Sequence, residues 1–451
     1  MCKTAFCGGL IPMRKARPKF EHTEKNMELK IKKPELLSPA GNFEKMKAAF
    51  LYGADAVYLG GKLFGMRSAA DNFEVDELFA AAEYAHSIGK KIYLTLNTMP
   101  HADEYPILRE YLKSLRGSGI DAFIIADLGV LNEVKTILPE AEIHISTQAG
   151  IVSPESALAY VALGATRVVL ARELTFSEIK KIRAALPESV EIEAFVHGSM
   201  CVSYSGRCML SHHLTGRDAN RGACTQPCRW NYKIVEEKRP DVPLPIEENE
   251  LGTFIMSSKD MCTVSILPEL IEAGIDSFKI EGRMKSAYYT AVVTNAYRMA
   301  MDAYAASPDT YEFDVRLMRE LESVSHRDYC TGYYQELPAD QPQLASSTGY
   351  IREKAYFATA LDSGEVTLPD SLEYETEQGR LYPFIQRNKV CVGDGAEVIS
   401  PNKIGEPFKV TELYDEKGAP IESAPHPSMR FFVRIPFEVR AGDIMRSGDG
   451  D

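Results

Sequence analysis

Short apolar runs alternate with segments of helical hydrophobic spacing along the first two thirds of the chain. Runs such as those at 35–41, 55–61 and 121–127 are each followed by a segment whose apolar residues recur with a helical period. The runs are continuously apolar, as strands are when both faces of a sheet are covered. Eight such strand–helix pairs between residues 34 and 310 predict an α/β fold, a parallel (β/α)8 barrel of the TIM type.

The pattern changes at three places along the chain. After strand seven, a cysteine-rich insertion at 198–262 interrupts the barrel pattern. Residues 311–345 predict a helical linker, and residues 346–451 contain short β runs separated by turn residues, which predict a C-terminal all-β domain, a small barrel. Residues 1–33 are basic and lack periodicity, so we expect a flexible arm.

Composition and charge narrow the class of protein. The 451-residue chain has 45% hydrophobic and 25% charged residues, which is ordinary for a soluble globular protein. Its longest apolar runs fall short of the ~18 residues that span a bilayer, and its N-terminus lacks the apolar core of a secretory signal. We therefore expect a cytoplasmic protein with no membrane partner. A net charge of −13 argues against nucleic-acid binding over the whole surface and leaves room for a local basic site.

Four of the nine cysteines are concentrated in the insertion, with the spacing C-x6-C-x15-C-x3-C. They are Cys201, Cys208, Cys224 and Cys228. Four thiolates this close in sequence indicate a zinc site, an iron–sulfur cluster or disulfides, and a reducing cytosol disfavours disulfides. The other cysteines are scattered, and among them only Cys262 lies at the end of the same insertion.

Polar residues follow the predicted barrel strands at the end where (β/α)8 enzymes place their active sites. They are Asn42, Lys62, Asn97, Asp127, Gln148, Arg172, His197, Glu281 and Arg283. Any one of them alone is more simply read as a cap or a strand-end hydrogen bond. Together, and next to the cysteine cluster, they predict a site.

Three kinds of chemistry fit the insertion to different degrees. The sequence contains neither the HExxH motif of a zinc peptidase nor a GxSxG elbow. A cysteine peptidase that pairs Cys201 with His197, His212 or His213 would leave three nearby cysteines unexplained. A structural zinc in a pure binding module would explain all four, but the paired CxxC knuckles of a zinc ribbon are missing.

Several motifs in order along the chain resemble the U32 "peptidase" family. They are PELLSPAGNFEKMKAAFLYGADAVYLGG, FGMRSAADNF, HISTQAG, EAFVHGSMCVSYSGRCMLS, GACTQPCRW and DSFKIEGRMKS. The resemblance covers residues 35 to 335, and the C-terminal module resembles the domain found in the branch that acts on tRNA. It implies an oxygen-independent hydroxylase with a [4Fe–4S] cluster that converts wobble uridine 34 of tRNA to 5-hydroxyuridine, with prephenate as hydroxyl source. Other branches imply the alternatives: a collagenase-like peptidase, a 23S rRNA cytidine hydroxylase or a quinone-ring hydroxylase.

The resemblance also implies roles for particular residues. Cys201, Cys208, Cys224 and Cys228 match the cluster ligands, and Cys262 is the alternative fourth ligand because some members take that ligand from further downstream. For catalysis we expect His197 as acid or base, together with Glu281 and Arg283. The residues expected to bind tRNA or the dicarboxylate prephenate are Arg67, Asn97, Gln148, Arg172, Arg207 and, by stacking on a base, Tyr204. A redox partner is also expected, and the sequence does not identify it.

Overall fold

A computed structural model describes most of the chain from Lys32 onward. The described residues are 32–67, 71–201, 203–204, 207–208, 210–230, 247–249, 252–254, 258–335, 350–362, 364, 366, 369 and 372–448. The predicted basic arm at 1–33 therefore lies almost wholly outside the described residues, as does part of the cysteine-rich insertion.

Outside the cysteine-rich insertion, strands and helices alternate up to residue 306, as the apolar pattern predicts. The strands of this part and of the linker are β1 (Glu35–Pro39), β2 (Ala56–Gly60), β3 (Lys91–Leu96), β4 (Ala122–Ile125), β5 (Glu142–Ile145), β6 (Arg167–Val169), β7 (Glu191–Ser199), β8 (Glu247–Asn249), β9 (Gly252–Phe254), β10 (Asp260–Cys262), β11 (Ser277–Ile280) and β12 (Tyr329–Cys330). The helices are α1 (Phe43–Leu51), α2 (Val75–Ser87), α3 (Tyr105–Ser114), α4 (Leu128–Ile137), α5 (Pro154–Ala162), α6 (Phe176–Ala185), α7 (Leu210–Thr215), α8 (Leu267–Glu272), α9 (Ala287–Ala306) and α10 (Val315–Glu322). None of the helices in the described part is long and apolar enough to cross a membrane.

Eight parallel strands close into a barrel in the order β1-β2-β3-β4-β5-β6-β7-β11, and β11 pairs with both β7 and β1. This closure confirms the predicted (β/α)8 barrel. Inside it, side chains of β2, β3 and β4, among them Tyr58, Tyr93 and Ile124, form a buried apolar cluster. The cysteine-rich insertion leaves from the end of β7, and its last strand, β10, returns antiparallel to β7.

A buried network of charges closes the N-terminal end of the barrel. Arg167 lies 2.7 Å from Glu35, 2.6 Å from Glu191 and 3.1 Å from Glu193, and Lys279 lies 2.6 Å from Glu193. Burial would raise the pKa of Glu35, but the Arg167 guanidinium outweighs it and holds that pKa at about 2. These groups are at the end opposite the predicted site, where they stabilise the barrel.

The C-terminal part is an antiparallel β domain with a core of its own. Its strands are β13 (Tyr356–Ala360), β14 (Glu375–Thr376), β15 (Gly379–Gln386), β16 (Val390–Cys391), β17 (Gly395–Ile399), β18 (Glu406–Lys409), β19 (Leu413–Asp415), β20 (Ser423–Ala424), β21 (Arg430–Ile435) and β22 (Ile444–Ser447). The main sheet has the order β18-β17-β22-β13-β15-β21-β19, and Phe384, Phe431 and Val433 lie in its apolar core. The predicted all-β domain is thereby confirmed.

Helix α9 lies between the barrel and the β domain, and 15 of its 20 residues are buried. Nearby, the Tyr52 hydroxyl donates to the Ile399 carbonyl at 2.8 Å. Arg446 of β22 is fully buried and reaches Glu320 of α10 at 2.8 Å and Glu397 at 2.7 Å. Hydrogen bonds and ion pairs thus join the β domain to the flank of the barrel.

Candidate active site

A cavity opens where the C-terminal ends of the barrel strands meet the cysteine-rich insertion. Its walls come from β2, β3 and β7, from the segments that follow β2, β3, β5, β6 and β11, and from the insertion. Active sites of (β/α)8 enzymes lie at this end of the barrel. Ten residues predicted from the sequence line it, namely Arg67, Asn97, Gln148, Arg172, Glu281, Arg283, Cys201, Cys208, Cys224 and Cys228.

One carboxylate of the cavity, Glu281, lies among its arginines. Arg67 Nη2 is 3.4 Å from Glu281 Oε1, and the Tyr58 hydroxyl donates to Glu281 Oε2 at 3.0 Å. Burial would raise the pKa of Glu281, but the charges of Arg67 and Arg172 hold it below its usual value. Glu281 is therefore ionised at neutral pH and offsets part of the arginine charge.

Arg283 reaches the cavity from the loop after β11 and is only 3% exposed. Its Nη1 donates to Thr95 Oγ1 at 3.0 Å, and burial lowers its pKa to about 10, so it is charged at neutral pH. Gly60 makes room for it, because a Cβ at that position would lie 2.1 Å from Arg283 Nη1. A guanidinium held in this way is positioned to bind a carboxylate or phosphate.

Arg172 follows β6 and ties two strand ends together. Its Nη1 donates to the Ser199 carbonyl at 2.7 Å, and its guanidinium carbon lies 3.8 Å from the centroid of the Phe195 ring. The Nε of Arg172 is buried with no hydrogen-bond partner among the described residues. Arg172 therefore adds positive charge to the wall next to the cysteine-rich insertion.

Gln148 follows β5 and is 4% exposed, yet it lines the cavity. Neither Oε1 nor Nε2 of its side chain has a hydrogen-bond partner within the described part of the chain. Its backbone carbonyl, in contrast, accepts from Arg207 Nε at 2.7 Å. Asn97, the other predicted amide residue, uses its Oδ1 to accept from the Met66 backbone N–H at 3.1 Å.

The cysteine-rich insertion contacts the barrel rim at three points. Arg207 donates to backbone carbonyls after β5, and Arg221 forms an ion pair with Glu104, just before α3. Gly222 has a φ of +85°, and a Cβ there would lie 3.1 Å from the Gly65 carbonyl in the loop after β2. These contacts hold the insertion over the cavity.

The four cysteines of the insertion are all partly exposed and all line the cavity. No group of three or more metal-ligating side chains in the described residues is gathered closely enough to surround a single ion. A [4Fe–4S] cluster is larger than an ion and binds one thiolate at each iron, so its ligands stand further apart. The Gln226 backbone N–H also lies 3.3 Å from Cys224 Sγ, as suits a thiolate acceptor. Four thiols around one cavity fit such a cluster in number and chemistry.

Comparison with protein families covers both parts of the chain. The family model described as "Peptidase family U32" matches residues 41–343, which is more than half of the chain. The chain belongs to peptidase family U32. The model of the "Peptidase family U32 C-terminal domain" matches residues 370–446, within the β domain of this U32 protein.

Curated relatives of this U32 chain include proteins named for RNA hydroxylation. The chain is 36% identical to tRNA hydroxylation protein P1 of Bacillus subtilis over 92% of its own length and 95% of that protein. It is 34% identical to tRNA hydroxylation protein P of Escherichia coli, over 93% of this chain and 98% of that protein. A 23S rRNA 5-hydroxycytidine synthase of Escherichia coli is 40% identical over 60% of this chain and 39% of that protein.

His197 does not line the cavity of this U32 protein. β7 has a bulge opposite Lys279 and Ile280, where one step along β11 corresponds to two along β7. This slip turns the imidazole outward, so its ring packs 5.6 Å from that of Tyr297 and 5.4 Å from that of Tyr329. Burial lowers the pKa of His197 to about 3, so the ring is neutral. Its expected acid–base role has no support in this geometry.

Three further predicted residues also lie outside the cavity lining. Cys262 is on β10, 5% exposed, with its Sγ 3.9 Å from Met318 Sδ, and burial raises its pKa to about 12. The structure thus places it apart from the other four cysteines. Arg207 donates hydrogen bonds to the backbone carbonyls of Gln148 and Ala149 and does not line the cavity. Tyr204 is 54% exposed on the insertion, where its ring is accessible for stacking.

Two of the polar strand-end residues are helix caps, as the simpler interpretation predicts. Asn42 Oδ1 accepts from the Lys45 backbone N–H, and Asp127 Oδ1 accepts from that of Val130, both at 3.0 Å.

The cavity also has lining residues that sequence reasoning missed, among them Tyr58, Thr95, Glu173 and Phe195. Continuously apolar strands do not show which side chains point inward, so Tyr58, Thr95 and Phe195 gave no separate signal. Glu173 lies after β6 and could have been found from its position beside Arg172.

Proposed function

We propose that this protein hydroxylates C5 of wobble uridine 34 in cytoplasmic tRNA, giving 5-hydroxyuridine without O2, and that prephenate supplies the hydroxyl group. The observation that carries the proposal is the cavity in which four thiols stand next to three arginines, of which Arg283 is buried. The two relatives aligned along nearly the whole chain are named for tRNA hydroxylation, which supports tRNA as substrate.

The arginine wall matches the charge of the proposed hydroxyl source. Prephenate carries two carboxylates, and the three lining arginines, Arg67, Arg172 and Arg283, outnumber the two lining carboxylates, Glu173 and Glu281. Arg283 is the best positioned of the three, since its guanidinium is buried and already held by Thr95. A planar guanidinium binds a carboxylate through two parallel hydrogen bonds, which fixes orientation as well as affinity.

Cys201, Cys208, Cys224 and Cys228 would hold the [4Fe–4S] cluster at the mouth of the same cavity. When bound, the cluster would supply one-electron redox chemistry. Arg207 and Arg221 would keep the insertion seated on the rim and so keep water away from the substrates.

The electron balance of the reaction requires one more participant. Replacing the C5–H bond by C5–OH removes two electrons from the base. If the prephenate hydroxyl becomes the new hydroxyl and the ring leaves as phenylpyruvate and CO2, then two electrons and two protons remain. A two-electron acceptor, such as an electron-carrier protein, must take them.

Glu281 is suited to accept the proton that leaves C5. It is ionised and lines the cavity, and its pKa lies below its usual value. A weak base suffices once the two electrons have left the ring, because the oxidised ring, with both the hydroxyl group and the proton on C5, regains its C5–C6 double bond when that proton leaves. Tyr58 donates to the other carboxylate oxygen and orients the group.

The alternatives rest on family names rather than on a feature of this cavity. A cysteine peptidase needs a histidine beside its nucleophile, and no histidine is found among the described residues that line the cavity. The 23S rRNA 5-hydroxycytidine synthase of Escherichia coli matches only 60% of this chain. Hydroxylation of a quinone ring would give no role to the β domain.

The test uses prephenate labelled with heavy oxygen in its hydroxyl group. Protein purified and reconstituted without oxygen is incubated with labelled prephenate, an electron acceptor and tRNA from cells that lack the gene, and the nucleosides are analysed by mass spectrometry. We expect labelled 5-hydroxyuridine with the wild type and none with Cys201→Ser. Unlabelled product, or hydroxylation that survives loss of iron, contradicts the proposal.

A further inference from the structure

The buried carboxamide of Gln148 is an unusual feature of the cavity. The residue is 4% exposed, and both polar atoms of its side chain lack a hydrogen-bond partner in the described residues. A buried amide without partners is costly, and such groups in binding sites are usually satisfied by the ligand. Gln148 also lines the cavity, so a ligand there can reach it.

The backbone of Gln148 is fixed even though its amide has no partner. The Ser146 hydroxyl accepts from the Gln148 backbone N–H, Arg207 donates to its carbonyl, and Thr147 Oγ1 donates to the Leu170 carbonyl at 2.9 Å. Arg207 belongs to the cysteine-rich insertion, so the insertion helps to hold Gln148. The amide therefore projects into the cavity from a rigid support, as selective recognition requires.

The barrel order separates this amide from two of the arginines. β5 is four strands from β1 in either direction around the barrel, and Gln148 follows β5. Arg67 and Arg283 follow β2 and β11, the two neighbours of β1. The amide and these two guanidinium groups thus enter the mouth from opposite sides. The side with Arg67 and Arg283 suits a dicarboxylate. On the other side, where Arg172 follows β6 next to β5, the amide adds a neutral group that both donates and accepts hydrogen bonds.

A carboxamide presents a donor and an acceptor side by side, which matches the edge of a uracil ring. Its oxygen can accept from N3–H while its nitrogen donates to O4. An arginine only donates, and an ionised glutamate only accepts. Asn97 has already committed its oxygen to the Met66 backbone. Gln148 keeps both atoms available, so its chemistry fits the base better than that of the charged lining residues.

We propose that Gln148 recognises the target base, with Oε1 accepting from N3–H and Nε2 donating to O4 of the uracil ring. This inference rests on the proposed function, because it presumes that a pyrimidine of RNA enters the cavity. The same amide rotated by half a turn pairs with N3 and N4–H of cytosine. Gln148 therefore positions a pyrimidine edge, and the exclusion of cytosine requires a further group.

Binding of two short RNAs tests the inference without turnover. The cluster-loaded protein is titrated, without prephenate, with an anticodon stem–loop that carries either uridine or 3-methyluridine at the wobble position, and fluorescence anisotropy is measured. Methylation removes the N3–H donor. We expect the wild type to bind the uridine RNA about tenfold to a hundredfold more tightly, as for loss of a bidentate base contact.

The variant Gln148→Met keeps the size of the side chain and removes both hydrogen-bonding atoms. It should bind both RNAs equally, with unchanged iron content and melting temperature. Arg207→Lys is the matched control, because it changes the support of Gln148 and leaves the amide in place, so it should keep a preference for uridine.

The outcomes separate the inference from the function on which it rests. If Gln148→Met still prefers uridine while the wild type hydroxylates tRNA, the inference is wrong and the proposed function stands. If the wild type neither distinguishes the two RNAs nor hydroxylates tRNA, both are wrong. A preference that is lost only together with iron content or folding also overturns the inference, because Gln148 would then act through the structure.

Discussion

Gly60→Ala tests whether Arg283 must occupy its observed position. The new Cβ would lie 2.1 Å from Arg283 Nη1 and 2.9 Å from Asn72 Oδ1, closer than side chains approach in proteins. The guanidinium must therefore move by about 1 Å, and misplacement of that size can lower a rate about a hundredfold. It would also lose its 3.0 Å hydrogen bond to Thr95, and hydrogen bonds to charged groups are worth about 1.5–3 kcal/mol.

At 1.4 kcal/mol per factor of ten, we expect kcat/KM for prephenate to fall about tenfold to a hundredfold in Gly60→Ala. Most of the loss should appear in KM, because Arg283 is proposed to bind the ground-state dicarboxylate. The assay is formation of 5-hydroxyuridine at varied prephenate and saturating tRNA, without oxygen. The KM for tRNA should change little, since the perturbed arginine faces the other substrate.

The neighbouring glycine supplies a matched control. In Gly61→Ala the new Cβ would lie 2.0 Å from the Tyr111 hydroxyl, which belongs to α3 outside the barrel. The steric overlap is as large, but it faces away from the cavity. Both variants should lower the melting temperature, and only Gly60→Ala should raise KM for prephenate. Equal KM values in the two variants would refute the role given to Arg283.

Three other predictions follow from the cluster, the domain interface and the base of the barrel. Cys228→Ser should lower iron and sulfide content after anaerobic reconstitution. Cys262→Ser should not, because the Cys262 thiol is buried away from the cavity. The reverse result would make Cys262 the fourth ligand. Arg446→Met leaves the largely buried Glu320 without its ion-pair partner and leaves Glu397 with Lys354 alone, so it should cost about 3–5 kcal/mol of unfolding free energy, measured by urea denaturation; a loss below about 1 kcal/mol would contradict that expectation. Glu35 has a pKa of about 2 in the folded protein against an ordinary value of 4.5. The stability that it contributes, about 3 kcal/mol, is therefore fully present above pH 4.5 and is lost as pH falls through about 2. The difference in urea midpoint between wild type and Glu35→Gln, measured on the apo protein, should shrink over that pH range, and a constant difference would contradict this expectation.

The sequence predicted the barrel well because its strands are apolar on both faces and recur at regular intervals. The same pattern located the cavity, since polar residues after the strands, such as Gln148, Arg172 and Glu281, necessarily meet at one end of a closed barrel. The alternating sequence of strands and helices was therefore enough to bring together residues that are far apart in the chain.

His197 shows where this reasoning stops. Glu193 and Phe195 point into the barrel, so strict alternation along β7 would place His197 there too. The bulge opposite Lys279 and Ile280 reverses the alternation and sends the ring toward Tyr297. The signal in this stretch is Gly198, which follows His197 inside β7 and has a φ of +103°, since a glycine within a strand often accompanies a bulge. The side-chain pattern alone does not show the bulge, because it arises from the pairing of β7 with β11. Proximity to Cys201 in sequence therefore overstated the proximity of His197 to the cavity.

The burial of α9 has a consequence for the modularity of this protein. A helix with 15 of 20 residues buried has no face designed for water, and the barrel alone covers only part of it. The chain from Lys33 onward accordingly forms one compact unit rather than two separable ones. The β domain is thus part of the same structural unit as the barrel. We expect a truncated chain that ends after the barrel to expose apolar surface and to aggregate. Exchange of this domain between relatives would require the surface of α9 to be exchanged with it.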